Sequence, residues 1–259
     1  MAHERPVALV TAATSSLGRG MAEALLADGF AVVISGRNQT KGEAAAREMD
    51  AAGNVHFAAC NALDQAQTEA MVDGVIGRFG RIDVLINNAG GSSGFAPVHL
   101  LADEAWLQAL TWNVSSAFWT VRRALPAMLK QGRGRIINIS SVQGKQANRP
   151  NASHYVTSKH ALNGFTKAVA LEVGRKGITC NAICVGAVET DMMQDAGRKA
   201  AAAAGVTFEE YKGRYASAAM TGELNRVEEV AAMARLLASD AGAGITGAIL
   251  NVDGGTCPY

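Results

Sequence analysis

Tyr155 and Lys159 stand four residues apart in Tyr155-Val156-Thr157-Ser158-Lys159, at the start of a helical pattern. That spacing puts both side chains on one helix face. A tyrosine hydroxyl ionises near pH 10 and is a poor proton shuttle at neutral pH. A neighbouring ammonium favours the phenolate and lowers that value, so the pair has the makings of a general acid/base. Upstream, Ile136-Ile137-Asn138-Ile139-Ser140-Ser141 ends a strand-like run in hydroxyls. A serine there can donate a hydrogen bond to a substrate oxygen. Asn113 falls mid-helix in Trp112-Asn113-Val114, where asparagine is unfavourable. A side-chain bond to a helix carbonyl would account for it. Taken singly, each feature has an ordinary alternative: a surface Tyr–Lys pair, a serine cap, a bonded asparagine.

These residues need elements to bring them together. β-branched runs at 7–11, 31–35, 55–59, 82–87, 134–140, 178–184 and 248–252 alternate with amphipathic stretches at 18–28, 40–52, 65–79, 103–131, 153–175 and 227–238. Several strand candidates are apolar without alternation, as strands buried on both faces must be. Alternation of strand and helix implies right-handed crossovers and a parallel, doubly wound α/β sheet with helices on both faces. Ligands in such sheets bind at the carboxyl ends of the strands. Residues 191–222 hold methionine, alanine and aromatics but no strand, and read as one or two helices standing off the sheet.

Composition narrows the class. The chain has 259 residues, of which 49% are hydrophobic and 28 are glycine. This is within reach of one α/β domain spanning 1–259 and is neither collagen-like nor disordered. With 24 basic against 23 acidic residues the net charge is +1, which counts against nucleic-acid binding. No stretch is long and apolar enough for a membrane span, and no secretory leader is evident, so a cytoplasmic protein is expected. Cys180 and Cys184 lie in one strand candidate, roughly 13 Å apart, too far to share a zinc ion; no metal site is expected.

Thr11-Ala12-Ala13-Thr14-Ser15-Ser16-Leu17-Gly18 follows the first strand and opens a helix. Free N–H groups and the helix dipole make that the expected pyrophosphate site. It lacks the G-x-G-x-x-G pattern, and a polar helix cap at Ser15 or Ser16 explains it as well.

In combination and in order, these residues resemble the short-chain dehydrogenase/reductase family, in its single-domain, 3-oxoacyl-reductase-like branch. The resemblance runs through Asn87-Asn88-Ala89-Gly90, Asn113, Ile139-Ser140-Ser141, Tyr155, Lys159 and Val252-Asp253-Gly254-Gly255. It implies a Rossmann-type, seven-stranded parallel sheet of order 3-2-1-4-5-6-7 and a nicotinamide cofactor. Tyr155 would be the acid/base and Lys159 would lower its pKa and bind the nicotinamide ribose. Ser141 would hold the substrate oxygen, and Asn113 would anchor a water linking Lys159 to solvent. A carbonyl would gain a hydride from the nicotinamide while Tyr155 protonates its oxygen. Thr11, Ala13, Thr14, Ser15, Ser16, Leu17 and Gly18 would cradle the pyrophosphate. Asn61, Ala62, Asn88, Ala89 and Gly90 would line the adenosine side, and Gly186, Val188 and Thr190 the carboxamide. Ser141, Gln143, Tyr155, Met192 and Met193 would meet the substrate, under a lid at 191–222. Tetramers built from the long helices and the last strand are common in the family, so a homotetramer is expected.

The chain also departs from the family pattern. Ala12 and Ser16 replace two glycines of the first loop, Asn61 replaces an aspartate, and Val185 replaces a proline before Gly186. Ala or Ser at those loop positions strains the backbone if φ is positive. The Ser16 hydroxyl could instead donate to a phosphate. Ser141 and Tyr155 are fourteen apart, one more than the pattern, which places a small insertion within 143–154. The second strand ends in Ser35-Gly36-Arg37-Asn38, without the carboxylate that NAD preference needs. Arg37 suits a 2′-phosphate, so NADP(H) is preferred, with NAD(H) possible. The apolar lid points to a hydrophobic, cyclic or acyl carbonyl, or the corresponding alcohol. The alternatives are an NAD-dependent catabolic alcohol dehydrogenase and a non-catalytic dinucleotide sensor.

Overall fold

The computed structural model describes residues 5–50 and 52–257; the side chains of Asp191, Met192, Asp195 and Ala196 lie outside the described set. Seven parallel strands form one sheet of order β3-β2-β1-β4-β5-β6-β7. They are β1 (Val7–Val10), β2 (Ala31–Gly36), β3 (Val55–Ala59), β4 (Val84–Asn87), β5 (Gly134–Ser141), β6 (Ile178–Val185) and β7 (Ile249–Val252). The expected order and parallel sense are both met.

The unalternating strands divide their side chains between two apolar layers. Ala8 and Val10 of β1 join one cluster with Met21 and Leu25 of α1 (Ser16–Ala27), Ala45 of α2 (Gln39–Met49) and Val230 and Leu237 of α9 (Val227–Ala238). Val7 and Leu9 join the other, with Val72 of α3 (Gln65–Phe79), Val121 of α5 (Ser116–Gln131) and Val169 of α6 (Ser153–Val173). A two-residue period thus feeds both faces of the sheet.

Two expected elements differ. β4 starts at Val84 rather than 82: the Ile82 N–H and carbonyl are bonded by the Gln131 side chain, at 3.1 and 3.0 Å, instead of by a neighbouring strand. The long helix expected at 103–131 is α4 (Asp103–Leu110), a π-helical turn (Thr111–Ser115) and α5. The 191–222 stretch forms two helices, α7 (Asp191–Ala203) and α8 (Phe208–Ala216). Gly197 lets them pack closely: a Cβ there would lie 2.8 Å from the Phe208 ring.

A row of buried polar side chains crosses one layer beneath the strand tips. The Thr120 hydroxyl of α5 meets Asn87 Oδ1 at 2.6 Å. Asn87 Nδ2 donates to Asn138 Oδ1 at 2.9 Å, and Asn138 Nδ2 to Thr166 Oγ1 of α6 at 2.9 Å. Thr166 then donates to Leu162 O at 2.8 Å. Asn87 and Asn138 are register partners on β4 and β5. Every donor in the row points the same way, so the bonds polarise one another.

Replacing Asn138 with Ala orphans a buried Asn87 donor and removes the donor to Thr166. Urea unfolding should show a stability loss of about 2–4 kcal/mol; a loss under 0.5 kcal/mol would mean that the row adds nothing.

Candidate active site

Ser141 is the last residue of β5, and Tyr155 lies in the first turn of α6. The Ser141 hydroxyl lies close enough to the Tyr155 hydroxyl to favour its ionised form. Ser141 Oγ also accepts the backbone N–H of Gln143 at 3.2 Å. Lys159, one turn further along α6, is buried, with Nζ 5.8 Å from the Tyr155 ring centre. Nζ donates to Ile139 O at 2.9 Å.

Burial governs both titrations. It lowers Lys159 from 10.5 to about 8, so at neutral pH the side chain is still mostly ammonium. It pushes the Tyr155 hydroxyl above its ordinary value, while the nearby Ser141 hydroxyl and the Arg149 charge pull the other way. The expectation that Lys159 draws Tyr155 down is therefore not met in the protein alone. Desolvation of the phenolate outweighs the opposing influences, and the Lys159 ammonium is directed at a backbone carbonyl.

Asn113 sits in the π-helical turn and is almost fully buried. Its Nδ2 shares two protons among three acceptors, Gly91 O at 2.7 Å, Ala109 O at 2.9 Å and Ser158 Oγ at 3.1 Å. Its Oδ1 accepts the Gly91 N–H at 3.1 Å. The helix-carbonyl bond expected from sequence is present, but it is one of several that tie this turn to the loop after β4 and to α6. A Cβ on Gly90 would come 2.6 Å from Asn113 Oδ1 and 3.3 Å from Lys159 Nζ. Asn113 and Lys159 thus border the same glycine. The π turn had no sequence signal beyond an asparagine within a helical pattern; such turns concentrate at functional sites.

The first loop takes the strained alternative. Ala12 has φ 50° and Ser16 has φ 51°, both left-handed, at the positions where the family pattern has glycine. Gly18 has no room for a side chain: a Cβ would lie 2.6 Å from Asn88 Nδ2 and 2.7 Å from Ala12 O. Asn88 Nδ2 donates to Thr11 O and Ala12 O, while Thr11 Oγ1 accepts the N–H groups of Asn88 and Ala89. Ala13 is buried, and its N–H bonds Ser35 O at 2.9 Å. Ser15 caps α1 without using its side chain, and no acidic residue occupies the first turn. Thr14, Ser15, Ser16 and Leu17 retain solvent exposure. A close-packed glycine, free helix-end donors and unspent hydroxyls suit a pyrophosphate. Gly36 abuts Thr14, with a Cβ there 2.9 Å from Thr14 Cγ2, and Arg37 projects exposed beside it.

The remaining expected contacts are spread around this cleft. Asn61 Oδ1 is turned to Leu63 N at 3.3 Å, next to half-exposed Ala62. Gly186 packs on Asp253, and buried Val188 bridges to Asn225. Thr190 caps α7 by accepting the Met193 N–H at 3.1 Å; the Met192 side chain lies outside the described residues. Gln143 is buried, bonded through Nε2 to Asn148, with Oε1 unpartnered. His154 is fully buried and lies 3.0 Å from Ser93 O.

Left-handed backbone costs a non-glycine residue about 1–2 kcal/mol, partly offset by the entropy glycine loses on folding. Ala12→Gly and Ser16→Gly should each raise stability by about 0.5–1 kcal/mol in thermal or urea unfolding without cofactor. Destabilisation by either change would contradict strain in this loop.

A sequence profile described as short chain dehydrogenase matches residues 6–201. The chain is 40% identical over 258 residues to a Streptomyces violaceoruber protein described as ketoacyl reductase 1 of the granaticin polyketide synthase, covering 98% of this chain and 94% of that one. It is 33% identical over 255 residues to the 3-oxoacyl-(acyl-carrier-protein) reductase of Escherichia coli, covering 98% of each. Among solved structures, a variant of actinorhodin polyketide ketoreductase with NADPH matches at TM-score 0.92 and 37% identity, with both chains covered in full. The chain belongs to the short-chain dehydrogenase/reductase family, and is an oxidoreductase acting on carbonyls.

Proposed function

We propose that this protein is an NADPH-dependent ketoreductase that converts a hydrophobic, cyclic or acyl ketone into a secondary alcohol. The observation that carries the reading is Ser141 at the tip of β5 beside Tyr155, with buried Lys159 on the same face of α6. The Tyr155 hydroxyl is protonated at neutral pH and so holds the proton that the reducing direction consumes. The Gln143 N–H occupies one Ser141 lone pair, and the single serine proton, which favours the Tyr155 phenolate in the protein alone, turns to the substrate oxygen when substrate binds. Lys159, still cationic at neutral pH, stabilises negative charge on Tyr155 after proton transfer and holds ribose hydroxyls. Asn113 positions this group through the π turn and its bond to Ser158, and carries the water that reaches Lys159.

The nicotinamide cofactor supplies the hydride when bound. The first loop holds its pyrophosphate and Arg37 its 2′-phosphate; no carboxylate stands in Ser35-Gly36-Arg37 to favour NAD. Asn61, Ala62, Asn88, Ala89 and Gly90 take the adenosine side, and Gly186, Val188 and Thr190 the carboxamide side. Helices α7 and α8 form a lid over one catalytic domain, with Gln143 and Met193 on the substrate side. Exposed Phe118 and Leu129 of α5 and Leu171 of α6 suit burial against further copies in a homotetramer. Among the described residues no helix is long and apolar enough to cross a membrane, and we place the enzyme in the cytoplasm.

Tyr155→Phe should cut NADPH-coupled reduction of a ketone panel by at least about a hundredfold while NADPH still binds. Undiminished turnover would remove the acid role. A wild-type protein that binds NADPH yet reduces no ketone would favour the dinucleotide-sensor reading. Separately, Arg37→Ala should weaken NADPH roughly tenfold or more and NADH little, as measured by fluorescence titration. Equal losses would remove the assignment of the 2′-phosphate.

A further inference from the structure

The chain is nearly neutral, but the walls of its cleft are not. Residues 84–102 and 134–171 contain no aspartate or glutamate, while the second segment carries Lys145, Arg149 and Lys159. Arg149 lies in the loop between β5 and α6, where the sequence is one residue longer than the family pattern. That loop is built to hold a shape. Asn151 has φ 62°, and its carbonyl accepts the Ala96 N–H at 3.1 Å. Asn148 bonds the buried Gln143 side chain. The Arg149 guanidinium lies over the Phe95 ring, 4.3 Å from its centre, and Phe95 packs on His154 at 5.2 Å, next to Tyr155 in sequence.

Arg149 is exposed and forms no ion pair among the described residues. Its charge reaches both the Tyr155 hydroxyl and Tyr211 of the lid, favouring ionisation of each. The nearby lid cation Lys212 is already neutralised by Glu189 at 2.6 Å. One guanidinium therefore remains uncompensated between the reacting hydroxyl and α8, stacked on an aromatic ring that limits its freedom.

We propose that Arg149 is a specificity-determining residue that selects carbonyl substrates bearing an anionic oxygen group, a carboxylate or a phosphate, on the part of the molecule nearest the mouth of the cleft. A planar fork pre-oriented by stacking pairs with such a group through two parallel hydrogen bonds. Segments 84–102 and 134–171 offer it no carboxylate, and Glu189 is already paired with Lys212. This assignment rests on the ketoreductase reading and names the substrate class of that same site.

Three probes share the acetoacetyl group: acetoacetate, acetoacetyl-phosphopantetheine and the neutral acetoacetyl-N-acetylcysteamine. Steady-state kinetics with NADPH would compare wild type, Arg149→Gln and Arg149→Lys. Arg149→Gln should raise KM for an anionic probe roughly tenfold more than for the neutral one, with kcat changing far less, and Arg149→Lys should recover part of the loss. An effect on acetoacetate alone identifies the carboxylate, and one on the phosphopantetheine thioester alone the phosphate. Equal changes on all three probes would overturn the assignment and leave the ketoreductase reading intact. Failure of wild type to reduce any of them, with NADPH bound, would overturn both.

Discussion

The cleft depends on one buried, unidirectional line of hydrogen bonds from Thr120 through Asn87 and Asn138 to Thr166. A polar group taken out of water must find a partner, and here each partner belongs to a different element. The line fixes α5 against β4, β4 against β5, and β5 against α6. The residues that follow its members are those at the cleft: Asn88 to Gly91 after Asn87, Ile139 to Ser141 after Asn138. Upstream of Thr166 on α6 lie Tyr155 and Lys159; upstream of Thr120 lies the π turn with Asn113. Apolar packing alone would tolerate small slips between helices and sheet. A chain of directed bonds does not, because a shift of one member breaks those on either side.

Above that line the protein accepts local costs. A lysine is buried at the price of a depressed pKa, a tyrosine is desolvated so that its proton is held more tightly, and the helical hydrogen-bond pattern is widened to a π turn around Asn113. Two residues of the first loop adopt left-handed backbone without being glycine. Such departures persist only where surrounding structure over-determines them. Asn88 shows how: its amide bonds both carbonyls beside the strained Ala12, clamping the loop against the end of β4.

Much of this was legible in the sequence, for identifiable reasons. Unalternating apolar runs of β-branched residues cannot be surface strands, so the sheet and both helical layers follow from them. The i,i+4 spacing of Tyr155 and Lys159 specifies their shared face whatever surrounds it. What stayed hidden was whatever depends on contacts distant in sequence. Asn87 and Asn138 look like any strand-end asparagines until register pairs them. The sign of φ at Ala12 and Ser16 is decided by a loop wedged between β1, β2 and Asn88. The rise in the Tyr155 pKa comes from burial, which no local spacing reports. The insertion before Tyr155 was visible as a count of residues, but its role emerged only when Arg149 was seen lying on Phe95.

The absence of carboxylates from segments 84–102 and 134–171 reaches beyond selectivity to speed. A low-dielectric cleft with an excess of one sign of charge on two of its flanking segments focuses its field outward, even when the molecule as a whole is near neutrality. Dinucleotides and other anions are then drawn in faster than random collision allows, and that advantage fades once the screening length falls below the width of the cleft. The net charge of +1 conceals this, because the 23 acidic residues that balance it lie outside those two segments. Ionic strength thus becomes a control on how often the cleft is filled, separate from how tightly it holds what arrives.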